Sequence, residues 1–217
     1  RNHSSAASDV YKRQRWEWYP NGEDSLSIAL FYKDIDKPIE RVVQLASGTA
    51  GNSRTFRNAE SGELSGVEIE GRKEFLLSDD FSRSLFVSFN ASVIESKVTL
   101  VNDDPRELQG QPEYTANLVI GYDDFSNGQQ LTFLVNQNGA SIADVGLSGA
   151  PDVYLEPRME ANLVYRWDIS ETATFKAKLD NIFNSELEYT QGGQTFQSYE
   201  KGTNCLLYTS PSPRDIG

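Results

Sequence analysis

The segment Leu85-Phe86-Val87-Ser88-Phe89-Asn90-Ala91-Ser92-Val93 places an apolar side chain at every second position. Successive side chains of a β-strand point to opposite faces, so such a segment forms a strand with one apolar and one more polar face. The same period of two recurs around residues 26–32, 67–74, 114–122, 131–135, 159–168 and 175–180. No stretch of comparable length has a helical period. The sequence therefore predicts an all-β, antiparallel chain.

Short and long connections alternate between these segments. Short polar turns are predicted at Asn21–Asp24, Ser78–Ser84, Asp123–Gln129 and Asp168–Thr172. Longer segments rich in Gly, Asn, Ser and Pro are found at Ala46–Thr55, Asn102–Pro112, Asn138–Pro157 and Gln191–Gln197. Short turns on one side of a sheet and long loops on the other are typical of a transmembrane β-barrel.

A soluble β-sandwich is the alternative, because alternation alone fits both architectures. Two features favour the barrel. Aromatic residues beside the short turns, among them Trp16, Trp18 and Trp167, fit a girdle at one membrane interface. The segments Asp24–Gln44 and Phe56–Leu77 also exceed the ~5–6 residues of a usual strand. The pattern therefore predicts an antiparallel transmembrane β-barrel segment.

The two ends of the chain look like translated sequencing adaptors. Asp9-Val10-Tyr11-Lys12-Arg13-Gln14 can be encoded by GAT GTG TAT AAG AGA CAG. The reverse complement of that DNA, read one base out of phase, encodes Cys205-Leu206-Leu207-Tyr208-Thr209-Ser210. Such an inverted repeat is expected at the ends of a transposon-prepared sequencing fragment. We therefore divide the chain into a tail over residues 1–14, a native insert over 15–204 and a second tail over 205–217.

Composition excludes several classes of function. Setting the tails aside removes the only histidine, His3, and the only cysteine, Cys205. The insert then lacks Cys or His nucleophiles, the ligands of most zinc sites and any disulfide. The whole chain carries a net charge of −12 at pH 7, which repels nucleic acid. The sequence therefore predicts no metal site and no cofactor.

The insert resembles the C-terminal β-barrel part of a TonB-dependent outer-membrane receptor. The resemblance rests on segments in the expected order: Trp16-Glu17-Trp18-Tyr19-Pro20, Leu26 to Ile35 with Pro38-Ile39-Glu40, Asn58 to Gly62 with Gly66 to Glu70, Pro112 to Tyr122, and Lys178 to Asn184. The last of these is similar to the family's Asn-Leu-Phe-Asp motif in the penultimate strand. A truncated final strand is expected to begin near Phe196–Gly202. The insert would then supply about eight or nine strands of a barrel of about 22 strands.

The resemblance also implies a function. The intact protein would not be an enzyme but would import a siderophore, vitamin, carbohydrate or similar nutrient through the outer membrane of a Gram-negative bacterium. Its partners would be the ligand, outer-membrane lipid and the TonB energy-transducing complex, the last reached through an N-terminal plug and TonB box outside this insert. A passive porin is the closest alternative, because its wall looks similar. A soluble binding module is a more distant one.

Polar loop residues are the candidate ligand contacts. The set comprises Asn52, Arg54 and Arg57 in one loop, Asn136, Gln137, Asn138 and Asp144 around another, and Asp103, Asp104 and Arg106 in a third. Asn and Gln near aromatic rings can bind a sugar, and Arg can bind an anionic siderophore. For each single residue, ordinary solvated loop polarity is the competing interpretation. On the polar strand face, Glu68, Glu70, Arg72 and Glu74 are expected to form a hydrated charge ladder or to contact a plug.

The tail boundaries can be tested on the source DNA. Amplification with primers inside the insert, reading outward, is expected to give different codons beyond residues 15–204. The reason is that an adaptor is joined to the fragment only during library preparation. Recovery of the same Asp9–Gln14 and Cys205–Ser210 codons from unprocessed DNA would show that the tails are native.

Overall fold

The computed structural model describes residues 9–45, 52–100, 103–147 and 149–211. Within these ranges, no helix is long and apolar enough to cross a membrane. The strands there are, in chain order, β1 (Asp9–Trp18), β2 (Ser25–Asp36), β3 (Ile39–Leu45), β4 (Asn52–Asn58), β5 (Ser61–Leu76), β6 (Arg83–Leu100), β7 (Asp103–Arg106), β8 (Tyr114–Asp124), β9 (Gln129–Asn138), β10 (Ser141–Gly146), β11 (Val153–Leu155), β12 (Arg158–Ser170), β13 (Ala173–Asp180), β14 (Glu186–Gln191), β15 (Gln194–Glu200) and β16 (Asn204–Pro211).

The larger of two sheets, here called the wall sheet, is an antiparallel meander. Its strands follow the order β1-β2-β5-β6-β8-β9-β12-β13-β16, and β7 pairs with the end of β6. Among the described residues no pairing joins β1 to β16, so both edges of the sheet are open. The prediction of an all-β antiparallel segment is confirmed. The predicted insert supplies eight strands of the continuous path, β1 to β13, and the ninth, β16, lies almost entirely in the predicted C-terminal tail.

The smaller sheet, here called the loop sheet, is built from the long connections. Its order is β15-β14-β11-β10-β3-β4, and β10 pairs in parallel with β3. Strands β3 and β4 lie between β2 and β5, β10 and β11 between β9 and β12, and β14 and β15 between β13 and β16. Because neighbouring wall strands run in opposite directions, these connections all leave the wall sheet at the same end. The predicted alternation of short turns and long loops is confirmed.

Three predicted strands have other boundaries in the structure. The segment Asp24–Gln44 is not one strand, because the chain changes sheet at Lys37, whose φ is 52°, between β2 and β3. The segment Phe56–Leu77 is not one strand either, because it begins in β4 of the loop sheet and continues in β5 of the wall sheet. The final wall strand does not begin near Phe196, because residues 194–200 form β15 and pair with β14 in the loop sheet. Residue type along an extended segment does not show which of two sheets the segment joins.

Residues of both predicted tails pair with the wall sheet. Strand β1 begins at Asp9 and pairs with β2, and β16 runs to Pro211 and pairs with β13. An open sheet edge offers unpaired N–H and C=O groups to any extended segment beside it. Pairing at the edges is thus expected of native and adaptor-derived segments alike. The division into a native insert and two tails remains a prediction.

One face of the wall sheet is apolar from strand to strand. A row across five strands consists of Trp16, Ile28, Ile69, Ala91 and Ala116. Ile28 is 43 % exposed. On the neighbouring rows of the same face, the exposed side chains include Trp18, Leu30, Val67 and Val93. An apolar face of this extent fits lipid, which is the environment of the outer face of a membrane barrel.

The opposite face carries rows of hydrogen-bonded polar side chains. One row crosses five strands through Ser27, Glu70, Asn90, Asn117 and Asn136. The Asn117 amide donates to the Asn90 carbonyl oxygen at 2.7 Å, and the Asn136 amide donates to Asn117. Side-chain pairs across strands satisfy the polar groups laterally. This face is suited to water or to a plug inside a barrel.

The loop sheet has a small core of its own. Val42, Ile142 and Val145 are buried against one another, and Leu147 and Tyr154 pack on them. Beside this cluster the buried Glu40 accepts hydrogen bonds from both terminal nitrogens of Arg106, one of them at 2.9 Å. Arg106 belongs to β7, so this ion pair joins the loop sheet to the wall sheet.

Glycines stand opposite aromatic rings at several points of the wall. A Cβ on Gly66 would lie 2.5 Å from the Val93 carbonyl oxygen and 2.6 Å from Cζ of Phe31. A Cβ on Gly71 would lie 2.6 Å from Cε1 of Phe89. In each pair the ring of the partner strand covers the glycine. Glycine is required at Gly66 because the obstructing Val93 oxygen belongs to the backbone and cannot rotate away.

We expect Gly66→Ala to destabilise the folded barrel by about 1–3 kcal/mol, the usual effect of overpacking. The measurement is urea unfolding of the complete barrel in detergent micelles. The control is Gly22→Ala, because a Cβ on Gly22 meets nothing within 4 Å. Equal unfolding midpoints for the two variants would contradict this account.

Candidate functional site

Two of the candidate residues meet on one face of the loop sheet, around the buried carboxylate of Asp144. The Asp144 side chain is only 4 % exposed. One of its oxygens accepts a hydrogen bond from Nε of Arg41. The other lies 3.1 Å from nitrogens of Arg54. Asp144 comes from β10 and the two arginines from β3 and β4, so the site exists only when three strands assemble.

Arg41 is also held by the connection between β7 and β8. The Arg41 backbone N–H donates to Oε1 of Gln109 at 2.6 Å, and Nε2 of Gln109 donates to the Arg41 carbonyl at 2.9 Å. Nε2 of Gln109 also donates to the carbonyl of Ala143 at 2.7 Å, and the Arg41 guanidinium donates to that same carbonyl at 2.9 Å. This network places Arg41 beside Asp144 before any ligand arrives.

Aromatic side chains from β14 and β15 border the same site. The rings of Tyr189 and Tyr199 are nearly parallel, with centroids 6.5 Å apart and planes inclined by 20°. Tyr199 and Phe196 are 43 % and 48 % exposed. Together with Arg41, Arg54 and Asp144 they line a small cleft of about 160 Å³. We call Arg41, Arg54, Asp144, Tyr189, Phe196 and Tyr199 the Asp144 cluster.

The electrostatic surroundings of Tyr189 reflect both burial and nearby cations. Burial is the main cause that raises the pKa of Tyr189 above its ordinary value, and the neighbouring Tyr199 hydroxyl adds to the effect. The positive charges of Arg41 and Arg158 act in the opposite direction on this pKa. The Tyr189 hydroxyl is therefore neutral at physiological pH and lies within reach of cationic groups.

Another candidate, Arg57, lines a larger cleft on the other side of the loop sheet. Arg57 follows Arg54 by three positions in β4, so the two side chains point to opposite faces. This cleft has a volume of about 540 Å³ and also contains Glu40, Arg106 and Asp152. Arg106, a candidate as well, is committed to the buried ion pair with Glu40. The loop candidates are thus divided between two clefts.

The remaining candidates are placed differently. Asn136 and Asn138 are not loop residues but belong to β9, where Asn136 extends the polar row of the wall sheet. Their placement in a loop was wrong because the strand continues to the start of the connection, and a ligand contact at these residues stays a prediction. Strand β4 begins at Asn52 and β7 at Asp103, but the side chains of Asn52, Asp103 and Asp104 lie outside the described part of the structure.

The charged residues predicted on the polar wall face are arranged as cross-strand and same-strand pairs. Glu70 lies 2.7 Å from Arg15 and Glu68 lies 2.7 Å from Arg13. Arg72 and Glu74 are 3.8 Å apart. This arrangement fits the charge ladder better than a ligand site. In the described ranges no group of three or more His, Cys, Asp or Glu side chains is placed to hold a metal ion.

Arg41, Gln109 and the tyrosine pair were not among the residues predicted from the sequence. Arg41 lies in a segment predicted to be one long strand. Nothing in its neighbours indicated that its partner is Asp144, about a hundred residues away. Tyr189 and Tyr199 lie in segments that read as ordinary strand ends. The one local signal was the Gly192-Gly193 pair, which lies between Tyr189 and Tyr199. Such a pair favours a hairpin turn, and a hairpin could bring the two tyrosines together.

An open antiparallel wall, apolar on one face and polar on the other, with long connections gathered at one end, defines a segment of a membrane β-barrel. A family model described as TonB dependent receptor-like, beta-barrel, matches residues 13–203. The chain therefore belongs to the TonB-dependent receptor β-barrel family. Members of this family are transport receptors of the Gram-negative outer membrane, and it is not an enzyme family. Comparisons with curated proteins and with solved structures give no match.

We expect Asp144→Asn to destabilise the loop sheet, because it leaves two guanidinium groups without their shared carboxylate. The expected loss is about 1–3 kcal/mol, since both arginines remain half in contact with water. Hydrogen exchange of the β3 and β10 amides in the complete barrel measures it. Glu23→Gln, in an exposed short turn, is the charge-matched control. Unchanged β3 protection in Asp144→Asn would contradict the assigned role.

Proposed function

We propose that the intact protein takes up a small nutrient across the outer membrane of a Gram-negative bacterium, with energy supplied through TonB. The observation that carries the proposal is the family match over residues 13–203. The wall sheet supports it, because one face suits lipid and the other suits a hydrated lumen or a plug. TonB would act on a part of the receptor outside the segment described here.

The ligand-recognition part of the proposal rests on the loop sheet. Receptors need an ordered binding surface at the end of the barrel that faces the medium, and binding residues are often on loops held by a rigid scaffold. Here the long connections form a sheet with buried carboxylates at Asp144 and Glu40 that are paired with arginines. Arg54 and Asp144 are the candidates from the sequence that take part in the Asp144 cluster. Arg57 is assigned to the neighbouring cleft.

A passive porin is the competing function, since its wall has the same alternation. A passive channel selects by the charge and width of its pore, and it has no need for loops that pair into a sheet. The six-stranded loop sheet joined to the wall through Glu40 and Arg106 therefore favours the receptor. The two functions differ in their need for energy, which makes them separable by experiment.

The test is deletion of the complete gene from the source bacterium, followed by profiling of the nutrients that the cells remove from the medium. We expect one nutrient class to remain in the medium and its uptake to return when the gene is restored. In cells that lack TonB, the restored gene is expected to give less than about one tenth of the normal uptake, because the plug cannot be moved. Full uptake without TonB, rising linearly with external concentration, would identify a porin.

A further inference from the structure

The Asp144 cluster has an excess of positive charge. It contains two guanidinium groups and one carboxylate, and the carboxylate is almost completely buried while Arg41 and Arg54 remain 48 % and 60 % exposed. Asp144 uses its two oxygens to fix the two arginines rather than to offer an acceptor to solvent. The accessible charge at this site is therefore cationic.

The arginines retain donors for a ligand. A guanidinium group has five N–H donors in a planar fork, which matches the two oxygens of a carboxylate or a pair of adjacent oxyanions. Arg54 directs Nε and one terminal nitrogen to Asp144. Arg41 directs Nε to Asp144 and one terminal nitrogen to Ala143. Within the described residues, the other N–H groups of both side chains have no protein acceptor.

The aromatic side chains define the shape of the group that fits. Tyr189, Tyr199 and Phe196 line the same cleft as the two arginines. Their ring faces favour stacking with another planar π-system or with a cation. A cationic ligand is excluded by Arg41 and Arg54, so a planar ring that also carries negative charge is the complementary partner.

The size of the cleft limits the ligand further. Its volume of about 160 Å³ is smaller than the ~300–1,000 Å³ of a pocket that encloses a whole ligand. It holds one single or fused ring and its acidic substituent. The rest of a larger ligand would extend out of the cleft over the loop sheet.

We propose that the Asp144 cluster binds a planar aromatic anion, either a free aromatic acid or the acidic aromatic end of a larger nutrient. The proposal rests on the function proposed above, because it names the chemical class that the receptor recognises. Arg41 and Arg54 bind the charged oxygens, and Tyr199 and Phe196 pack on the ring. Gln109 is a positioning residue that holds Arg41 through its backbone.

The test uses the complete receptor in detergent micelles and naphthoate as the fluorescent probe, with binding followed by fluorescence anisotropy. Naphthamide has the same rings without the charge, and cyclohexanecarboxylate has the charge without the planar ring, so both serve as competitors. We expect saturable naphthoate binding, with an inhibition constant for either competitor at least about tenfold above the dissociation constant of naphthoate. Equal displacement by cyclohexanecarboxylate or by inorganic phosphate would overturn the aromatic class.

Variants locate the binding. Arg54→Ala is expected to weaken naphthoate binding at least about tenfold, because a charge-assisted contact is lost. Tyr199→Leu is expected to weaken it as well, while Tyr199→Phe keeps the ring and the affinity. Arg57→Ala removes the same side chain from the opposite face of β4 and is expected to leave affinity within twofold. An Arg54→Ala receptor that binds like the wild type, or equal losses in Arg54→Ala and Arg57→Ala, would overturn the site.

The proposed binding site and the proposed transport function can be contradicted by different results. Naphthoate binding that depends on Arg54, in a receptor whose nutrient uptake does not need TonB, would support the site and contradict the proposed transport function. TonB-dependent uptake by a receptor that does not bind naphthoate would support the transport function and overturn the aromatic anion. The anisotropy measurement therefore tests the ligand class independently of the energy source.

Discussion

The requirement that every backbone N–H and C=O group be paired within a membrane governs this molecule. The wall sheet meets it by continuous antiparallel pairing from β1 to β16, and a strand such as β6 pairs along almost its whole length. Once that ladder is in place, side chains have only two directions available. Apolar residues occupy one face, and polar residues that hydrogen-bond across the strands occupy the other. Alternate positions along each strand therefore face the lipid side and the lumen side.

The same pairing requirement extends into the long connections, where a second sheet takes up the backbone groups. Its order mixes strands from three separate connections. Hydrophobic burial in this sheet is modest, with three fully buried side chains in its core cluster. Two buried carboxylates, Glu40 and Asp144, hold it together through arginines from other strands. Removing Arg106 would be costly, because Glu40 would be left buried and unpaired. The loops are therefore ordered as one unit.

The polar groups that remain available to a ligand are concentrated where that unit is exposed. On the wall face, Asn90, Asn117 and Asn136 hydrogen-bond to one another, which leaves them structural. On the loop sheet, Asp144 orients Arg41 and Arg54 but leaves both partly in solvent. The distinction follows from hydrogen bonding. A side chain whose polar groups are bonded to its cross-strand neighbours has few donors or acceptors left for a ligand. An arginine that uses only some of its N–H groups on Asp144 keeps the others available.

Alternation of apolar and polar residues by itself determined that the chain is all-β and which side of each strand is apolar, and local turn residues determined the order of short and long connections. Motif order by itself indicated the family. The sequence did not reveal that the chain passes from one sheet to the other at Lys37, because residue type does not show which sheet an extended segment joins, nor did it reveal that Arg41 meets Asp144. Only the tertiary structure decided the site, because its members come from β3, β4, β10, β14 and β15 and are joined by pairing between distant connections. Contacts between segments so far apart in the chain do not change the periodicity of the sequence.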